Sequence, residues 1–572
     1  MQIVSRPLPG LLPELGLPPL LTRIYAARGI VSVDGLDRSL SRLAPASGLK
    51  GMTAAVSLLV TALQQGQRIL FVGDFDADGA TASAVGVLGL RAMGAGSVDY
   101  LVPNRFEYGY GLTPEIVKVA LARRPDLLVT VDNGISSLEG VQAARAAGLK
   151  VLVTDHHLPG PVLPEADAIV NPNQPGCPFP GKQMAGVGVI FYVLLALRAR
   201  LRELDWFGAG RPEPNLGQLL DLVALGSVAD VVPLDAHNRI LVYQGLQRIR
   251  AGRARPGLLA ILDVARRNPQ ALTAADLGFI VGPRLNAAGR LDDMSLGIEC
   301  LLADDPAMAR EMAGQLDQLN QERKSIEQGM QREALGQLRE LSAESMPFGL
   351  CLFEPDWHQG VIGILASRLK ERYHRPVIAF AGAGDGLLKG SARSVPGLHV
   401  RDALEAVATR HPGLVSRFGG HAMAAGLSLP AAHFSDFAAA FDAEVRSQLN
   451  ADDLAGRLLT DGPLAVGEFS LELARALREA GPWGQHFPEP AFHGQFRLLQ
   501  QRLVGERHLK LLLQTPCGSL KLEGIAFNID RERWPDPAVE WVSLVYKLEV
   551  NEFRGQESVQ LLVQHLQPAA GG

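Results

Sequence analysis

From residue 52 to 171 the chain alternates helical periodicity with short, apolar, largely β-branched runs, and this alternation constrains the fold more than any other feature. Helical patterns at 52–65, 79–93, 113–123 and 135–147 separate candidate strands at 69–72, 98–102, 127–131, 151–154 and 168–170. Helix and strand taken in turn predict a parallel sheet flanked by helices. Open sheets of that kind place ligands outside the carboxyl ends of their strands. Three such ends carry DFDADG (Asp74, Asp76, Asp78), TVDNG (Asp132) and TDHH (Asp155, His156, His157). A further acid, Asp230 in VADVV, is expected on a turn after a helix.

So many carboxylates on one rim would repel and raise one another's pKa, which makes bound cations the simpler account. DFDADG opens like a calcium loop, but Ala82 and Val85 stand at its ninth and twelfth positions, where the twelfth needs a bidentate glutamate. No GxGxxG follows the first strand, so a dinucleotide fold is not indicated, and Gly186 and Gly188 in AGVGV are read as easing close packing. Taken alone, Asp132 could be no more than the N-cap of the next helix. Mixed carboxylate and imidazole donors suit Mn2+, Zn2+ or Fe2+ better than calcium, with Mg2+ an option where carboxylates and water dominate. Manganese or magnesium is the expected metal. Two such ions about 3.5–4 Å apart, bridged by Asp132, would activate a shared water for in-line attack on phosphorus.

At 572 residues the chain should divide into several domains. The expected boundaries are an N-terminal lead-in at 1–50, a catalytic core at 51–304, a connecting helix at 305–342, a second α/β domain at 343–450 and a small β-barrel of the OB type at 451–572. The connecting helix is inferred from an apolar stripe at Met308, Met312, Leu316, Leu319, Ile326, Met330, Leu338 and Leu341. A net charge of −5 neither advertises nor excludes a polyanionic partner. Four scattered cysteines argue against a disulfide framework or zinc ribbon. No secretory signal is visible and the longest apolar run, 185–197, is too short to span a membrane, so a cytoplasmic protein with no membrane contact is expected.

DFDADG, TVDNG and TDHH resemble the signature motifs of the DHH phosphoesterase superfamily. NRFEYGYG, ADVVPL, GPRLNAAGR, WHQGVIGILASRLKERYHRPVIAF, GSARS and GGHAMAAG resemble its bacterial single-strand-specific 5′-to-3′ DNA exonucleases, over roughly 65–430. The resemblance implies Asp76, Asp78, Asp132, His156 and Asp230 as ligands of two divalent cations, with Asp74 a ligand or near neighbour. It implies that His157 lies against the scissile phosphate and that Asp155 holds the histidine turn. Phosphate and DNA contacts are implied for Arg105, Arg284, Asn286, Arg290, Ser391, Arg393, Gly420 and His421. It further implies degradation of single-stranded DNA to mononucleotides in recombination and repair, by a monomer working beside a single-strand-binding protein and a RecQ-type helicase. The rivals are a DHH phosphoesterase acting on short RNA, cyclic dinucleotides or polyphosphate, and a binding protein of the same fold without activity. Groove charges on the barrel are expected among Arg497, Arg502, Arg507, Lys510, Lys521 and Lys547, with Phe492 and Phe496 either stacking groups or core.

Overall fold

The computed structural model describes residues 1–104, 108, 111–339, 346–505, 507–531, 533–553 and 555–569. Contacts divide the chain into two units, one of Ile3–Asp317 with Leu459–Gly572, the other of Gln318–Leu458 with Met1–Gln2.

The first unit is built on a five-stranded sheet. Its strands are Arg68–Val72, Ser97–Leu101, Leu127–Val131, Lys150–Thr154 and Ala168–Val170, and every pairing is parallel. Near-continuous apolar runs make strands buried on both faces: Leu70, Leu128 and Val151 lie side by side, and all are essentially inaccessible. The spatial order, Ser97 strand, Arg68 strand, Leu127 strand, Lys150 strand, Ala168 strand, is the doubly wound 2-1-3-4-5 order. Chain direction across the sheet therefore reverses between Arg68–Val72 and Leu127–Val131. The loops leaving those two neighbours diverge to opposite faces and open a crevice.

The same unit carries a closed five-stranded barrel of Phe492–Val504, His508–Gln514, Lys521–Ala526, Gln556–Pro568 and Trp541–Phe553. Alternation in HLKLLLQ turns Leu509, Leu511 and Leu513 inward. Phe492 and Phe496 are 0% and 2% exposed and pack with Tyr546, so they are core and offer no stacking face. The N-terminal segment joins this unit more firmly than a lead-in would: Tyr25 donates from its hydroxyl to the Ala480 carbonyl at 2.7 Å.

The second unit holds a mixed five-stranded sheet in which Leu350–Glu354 pairs parallel with Val377–Gly382 and the remaining pairings are antiparallel. Phe380, Phe437 and Phe441 centre its core. The helix Pro306–Arg339 begins in the first unit and ends in the second. Its buried line is Ala309, Ala313, Leu316, Asn320, Arg323, Glu327, Met330, Ala334 and Leu338, which shares Leu316, Met330 and Leu338 with the stripe read from the sequence and leaves Met312, Leu319 and Ile326 half-buried beside it. Met308 is 59% exposed, and Leu341 lies outside the described residues. The polar members bond to one another, Arg323 donating to Asn320 Oδ1 at 2.8 Å and to Glu327 Oε2 at 2.5 Å, so the face stays buried through its charged middle. Among the described residues no single helix is long and apolar enough to cross a membrane.

Candidate metal centre

DFDADG leaves the first strand at the switch point and at once starts the helix Ala77–Ala92. Asp76 is the N-cap of that helix, its Oδ1 accepting from the amides of Asp78 and Gly79, both at 3.0 Å. One of its carboxylate oxygens lies within 4.8 Å of donor atoms of Asp74 and Asp132. Asp132 leaves the neighbouring strand in the left-handed region, φ 62°, an uncommon setting for a residue with a side chain and one that marks functional sites. It does not cap the next helix, whose N-cap is Ser137. Asn133 ties the two strand ends together, donating from Nδ2 to the carbonyls of Val72 at 3.0 Å and Val131 at 2.9 Å.

The histidine turn is held from below. One oxygen of Asp155 accepts from the backbone amides of His156 and His157 and from His157 Nδ1, at 2.7, 3.1 and 2.8 Å, while the other accepts from the Ile135 amide at 2.9 Å. Asn173 and Asn171 donate to the carbonyls of His156 and His157 at 2.6 and 2.9 Å. Sequence reasoning misses these two asparagines, in VNPNQ after the fifth strand. Their one signal is their place at a strand end on the same rim.

His156 Nε2 lies 3.1 Å from Asp132 Oδ1, 3.4 Å from Asp230 Oδ2 and 3.9 Å from Asp78 Oδ2. Asp230 is the C-cap residue of the helix Leu220–Ala229. Three donor groups, each within 4.8 Å, emerge: Asp74, Asp76 and Asp132; Asp78, His156 and Asp230; Asp132, His156 and His157. Asp132 thus stands between the acids of the first motif and the imidazoles of the third. Asp78 also accepts from the first amides of the helix Gly186–Glu203, Gly186 at 2.7 Å and Val187 at 2.9 Å. A carboxylate oxygen has lone pairs for both an amide and a cation. Gly186 therefore does more than ease packing: a Cβ there would come within 2.6 Å of the Asp132 Cβ.

Electrostatics favour cations in this cluster. Burial first, then the charges of neighbouring aspartates, raises Asp132 and Asp230 well above the carboxylate range, and burial with the Asp76 charge pushes Asp78 up to about 7. Asp78 and Asp230 meet no lysine or arginine at ion-pair distance among the described residues; His156 is their partner. Buried carboxylates with one imidazole fit hard or borderline divalent ions, Mn2+ or Mg2+, which would supply the missing positive charge. Burial pulls His157 down, but the hydrogen bond and charge of Asp155 outweigh it and push His157 up to about 9. Asp155 is lowered despite its burial, by the His157 hydrogen bond.

GPRLNAAGR forms the helix Gly282–Leu291, which buttresses the aspartate loop. Asn286 Oδ1 accepts from the Ala77 amide at 2.8 Å, and a Cβ on Gly289 would strike the Phe75 carbonyl oxygen at 1.9 Å. Arg284 is paired with Asp317 at 2.8 Å and donates to the Ile280 carbonyl at 2.7 Å, whereas Arg290 is half-buried on the same helix. Asn286→Ala should therefore loosen the loop and weaken Mn2+ binding about 10–100-fold by calorimetry, with Asn286→Asp keeping the acceptor and most of the affinity. Equal affinities for wild type and the alanine variant would remove Asn286 from the site's support.

In the second unit, Arg393 donates to Ser391 Oγ at 3.1 Å and to the Ala392 carbonyl at 2.8 Å, its only partners among the described residues. Burial lowers its pKa and no carboxylate offsets it. The start of the helix Ile362–Tyr373 comes so close that a Cβ on Gly363 would lie 2.9 Å from both Arg393 Nη2 and Ser391 Oγ. A guanidinium, a hydroxyl and a helix N-terminus are groups that can bind an anion. Gly420 and His421 form the exposed turn between the strands Arg417–Gly420 and Ala424–Pro430, Gly420 at φ 144°. Arg105 lies outside the described residues.

Residues 68–227 match the DHH family, N-terminal domain; residues 347–447 match the DHHA1 domain; and residues 460–565 match the RecJ OB domain. The single-stranded-DNA-specific exonuclease RecJ of Salmonella typhimurium is 58% identical over 555 residues, 96% of each chain. The crystal structure of RecJ with Mn2+ from Thermus thermophilus is similar at TM-score 0.81 and 32% identity, covering 100% of this chain and 79% of that one. The corresponding Mg2+ complex gives TM-score 0.75 at 30% identity, with 100% and 78% covered. Sheet order, donor set and domain matches define a DHH-type phosphoesterase with a DHHA1 domain and an OB barrel. Within that class, the chain belongs to the RecJ family.

Proposed function

We propose that this protein is a metal-dependent exonuclease that removes mononucleotides from the 5′ end of single-stranded DNA, using two divalent cations, Mn2+ or Mg2+. The observation that carries the reading is the place of Asp132 at the switch point, within reach of Asp74 and Asp76 on one side and His156 on the other. Asp76, Asp132 and Asp74 would hold one cation, and Asp78, Asp132, His156 and Asp230 the other. Such a pair lowers the pKa of a water and stabilises charge on the attacked phosphate. The remaining work falls to the chain. Asp155 is a positioning residue that fixes the ring of His157, and the charge on that imidazole favours a phosphate oxygen beside the acids. Arg393 and Ser391 would take the 5′-terminal phosphate, and the exposed basic residues of the barrel would track the backbone.

The relatives' names support the substrate class. A cytoplasmic monomer acting beside a single-strand-binding protein and a RecQ-type helicase, in recombination and repair, is the setting we propose. The decisive test is a long single strand labelled at either end, incubated with Mn2+, Mg2+ or EDTA, alongside the same sequence as blunt duplex. Metal-dependent release of mononucleotides from the 5′ end, with the duplex spared, is expected; preference for short RNA or polyphosphate would sink the reading. Arg393→Ala should cut the preference for 5′-phosphorylated over 5′-hydroxyl ends by about tenfold or more, as loss of a charged hydrogen bond implies. An unchanged kcat/KM ratio between the two ends would take Arg393 out of the phosphate site.

A further inference from the structure

Beside the metal centre, Asp230 is followed by two residues with no part in metal binding. Val231 sits in the left-handed region at φ 60° and is 62% exposed, strained for a β-branched side chain and placed in water as well. Nearby, Leu277–Val281 forms a π-helical turn that leaves Phe279 80% exposed. Single π turns recur at functional sites, and strain of this kind persists where it serves one. Between them lies a cavity of about 340 Å3, within the range of small-ligand sites, walled by Val228, Val232, Tyr243 and Phe279 from the core and by Pro482 and Trp483 from the segment entering the barrel.

The wall on the barrel side is rigid. Trp483 is fixed, donating from Nε1 to the Leu477 carbonyl at 2.9 Å and stacking on Phe487 at 5.3 Å between centroids. Arg250 and Arg478 border the cavity beside Glu479, and Lys547 there is paired with Glu489, so the positive charge at its edge comes from the two arginines. Aromatic faces beside cations are what an unpaired base on a phosphate backbone requires. Phe492 and Phe496 of the barrel cannot serve, since both are core.

We infer that this cavity is a base-binding subsite for the substrate strand, with Phe279 the stacking platform for one unpaired nucleobase near the end held at the aspartate cluster. The occupant follows from continuity: Val228 and Val231, on either side of Asp230 in sequence, both line the cavity. The inference rests on the exonuclease reading and adds to it a nucleotide-by-nucleotide consequence.

The test is an abasic walk. Binding of short fluorescent single strands, each with one abasic position counted from the 5′ end, is measured in EDTA for wild type, Phe279→Ala and Phe279→Trp. Wild type should lose about tenfold at one abasic position, the factor of one stacked base. Phe279→Ala should bind the intact strand about tenfold more weakly and lose nothing further at that position, while Phe279→Trp restores the wild-type profile. If Phe279→Ala binds the intact strand as wild type does, or loses the same factor again at the abasic position, the subsite is refuted and the cavity faces some other partner. Cleavage of the intact strand by wild type with Mn2+ is measured in parallel. Its absence would overturn the exonuclease reading together with the subsite; its presence beside an additive abasic profile overturns the subsite alone.

Discussion

Replacing Asp132 with asparagine should reduce cleavage of single-stranded DNA by about a thousandfold or more while leaving the affinity for DNA within a few-fold of wild type. Asparagine tolerates the φ of 62° at this position and nearly matches the aspartate in shape, so the loss would report the charge and not the turn. Stability should move the other way in EDTA. Asp132, Asp230 and Asp78 have folded-state pKa values raised above those of the unfolded chain, so their contribution to the metal-free fold is fully present below the ordinary carboxylate pKa and is lost as pH rises through the raised values. Removing one of these charges should make metal-free Asp132→Asn melt higher than metal-free wild type at pH 8. Added Mn2+ should then raise the melting temperature of wild type and hardly that of the variant. Full cleavage by the variant, or an equal Mn2+ shift in both proteins, would refute Asp132 as the shared ligand.

The acids of DFDADG, TVDNG and TDHH were legible because each of these motifs directly follows an apolar, largely β-branched run, and a run of that kind ends at the sheet's rim whatever the rest of the chain does; Asp230, at a helix end, carries no such signal. Strand order was not legible. That the Arg68 and Leu127 strands are neighbours, which puts DFDADG beside Asp132, depends on pairing across the chain and not on local pattern. Supporting groups were hidden for a related reason: Asn171 and Asn173 act through carbonyls remote in sequence, and asparagine looks the same in any loop, while Asn286 was named only as a phosphate contact and not as the support of the aspartate loop. The long helix was found, but its face was misplaced by about one position at Met308. Its buried line runs through small Ala309 and Ala313 and through a charged trio satisfied internally, neither of which registers as apolar periodicity. Phe492 and Phe496 show the opposite ambiguity, since a barrel interior and a nucleic-acid platform draw on the same residue type.

The first 50 residues, expected as a lead-in, form a strap in the structure, and Arg28→Ala should show it by costing about 3–5 kcal/mol. Arg28 and Asp461 have side chains 1% exposed and meet through two hydrogen bonds, 2.7 and 2.9 Å. The guanidinium also donates to the carbonyls of Ile24 and Pro488, each at 2.7 Å, and lies over the Trp483 ring. Alanine would leave Asp461 buried with the Ala491 amide at 3.1 Å and the distant Arg6, 3.8 Å away, for compensation. A buried ion pair gives little net stability, but half of one is a liability. Hence the double variant Arg28→Met with Asp461→Leu should recover most of what Arg28→Ala loses. Urea unfolding followed by tryptophan fluorescence would measure both, because Trp483 sits under Arg28 and reports this junction directly. A single variant as stable as wild type would mean that water reaches Asp461, and that the N-terminal segment only rests on the barrel's approach instead of fastening it.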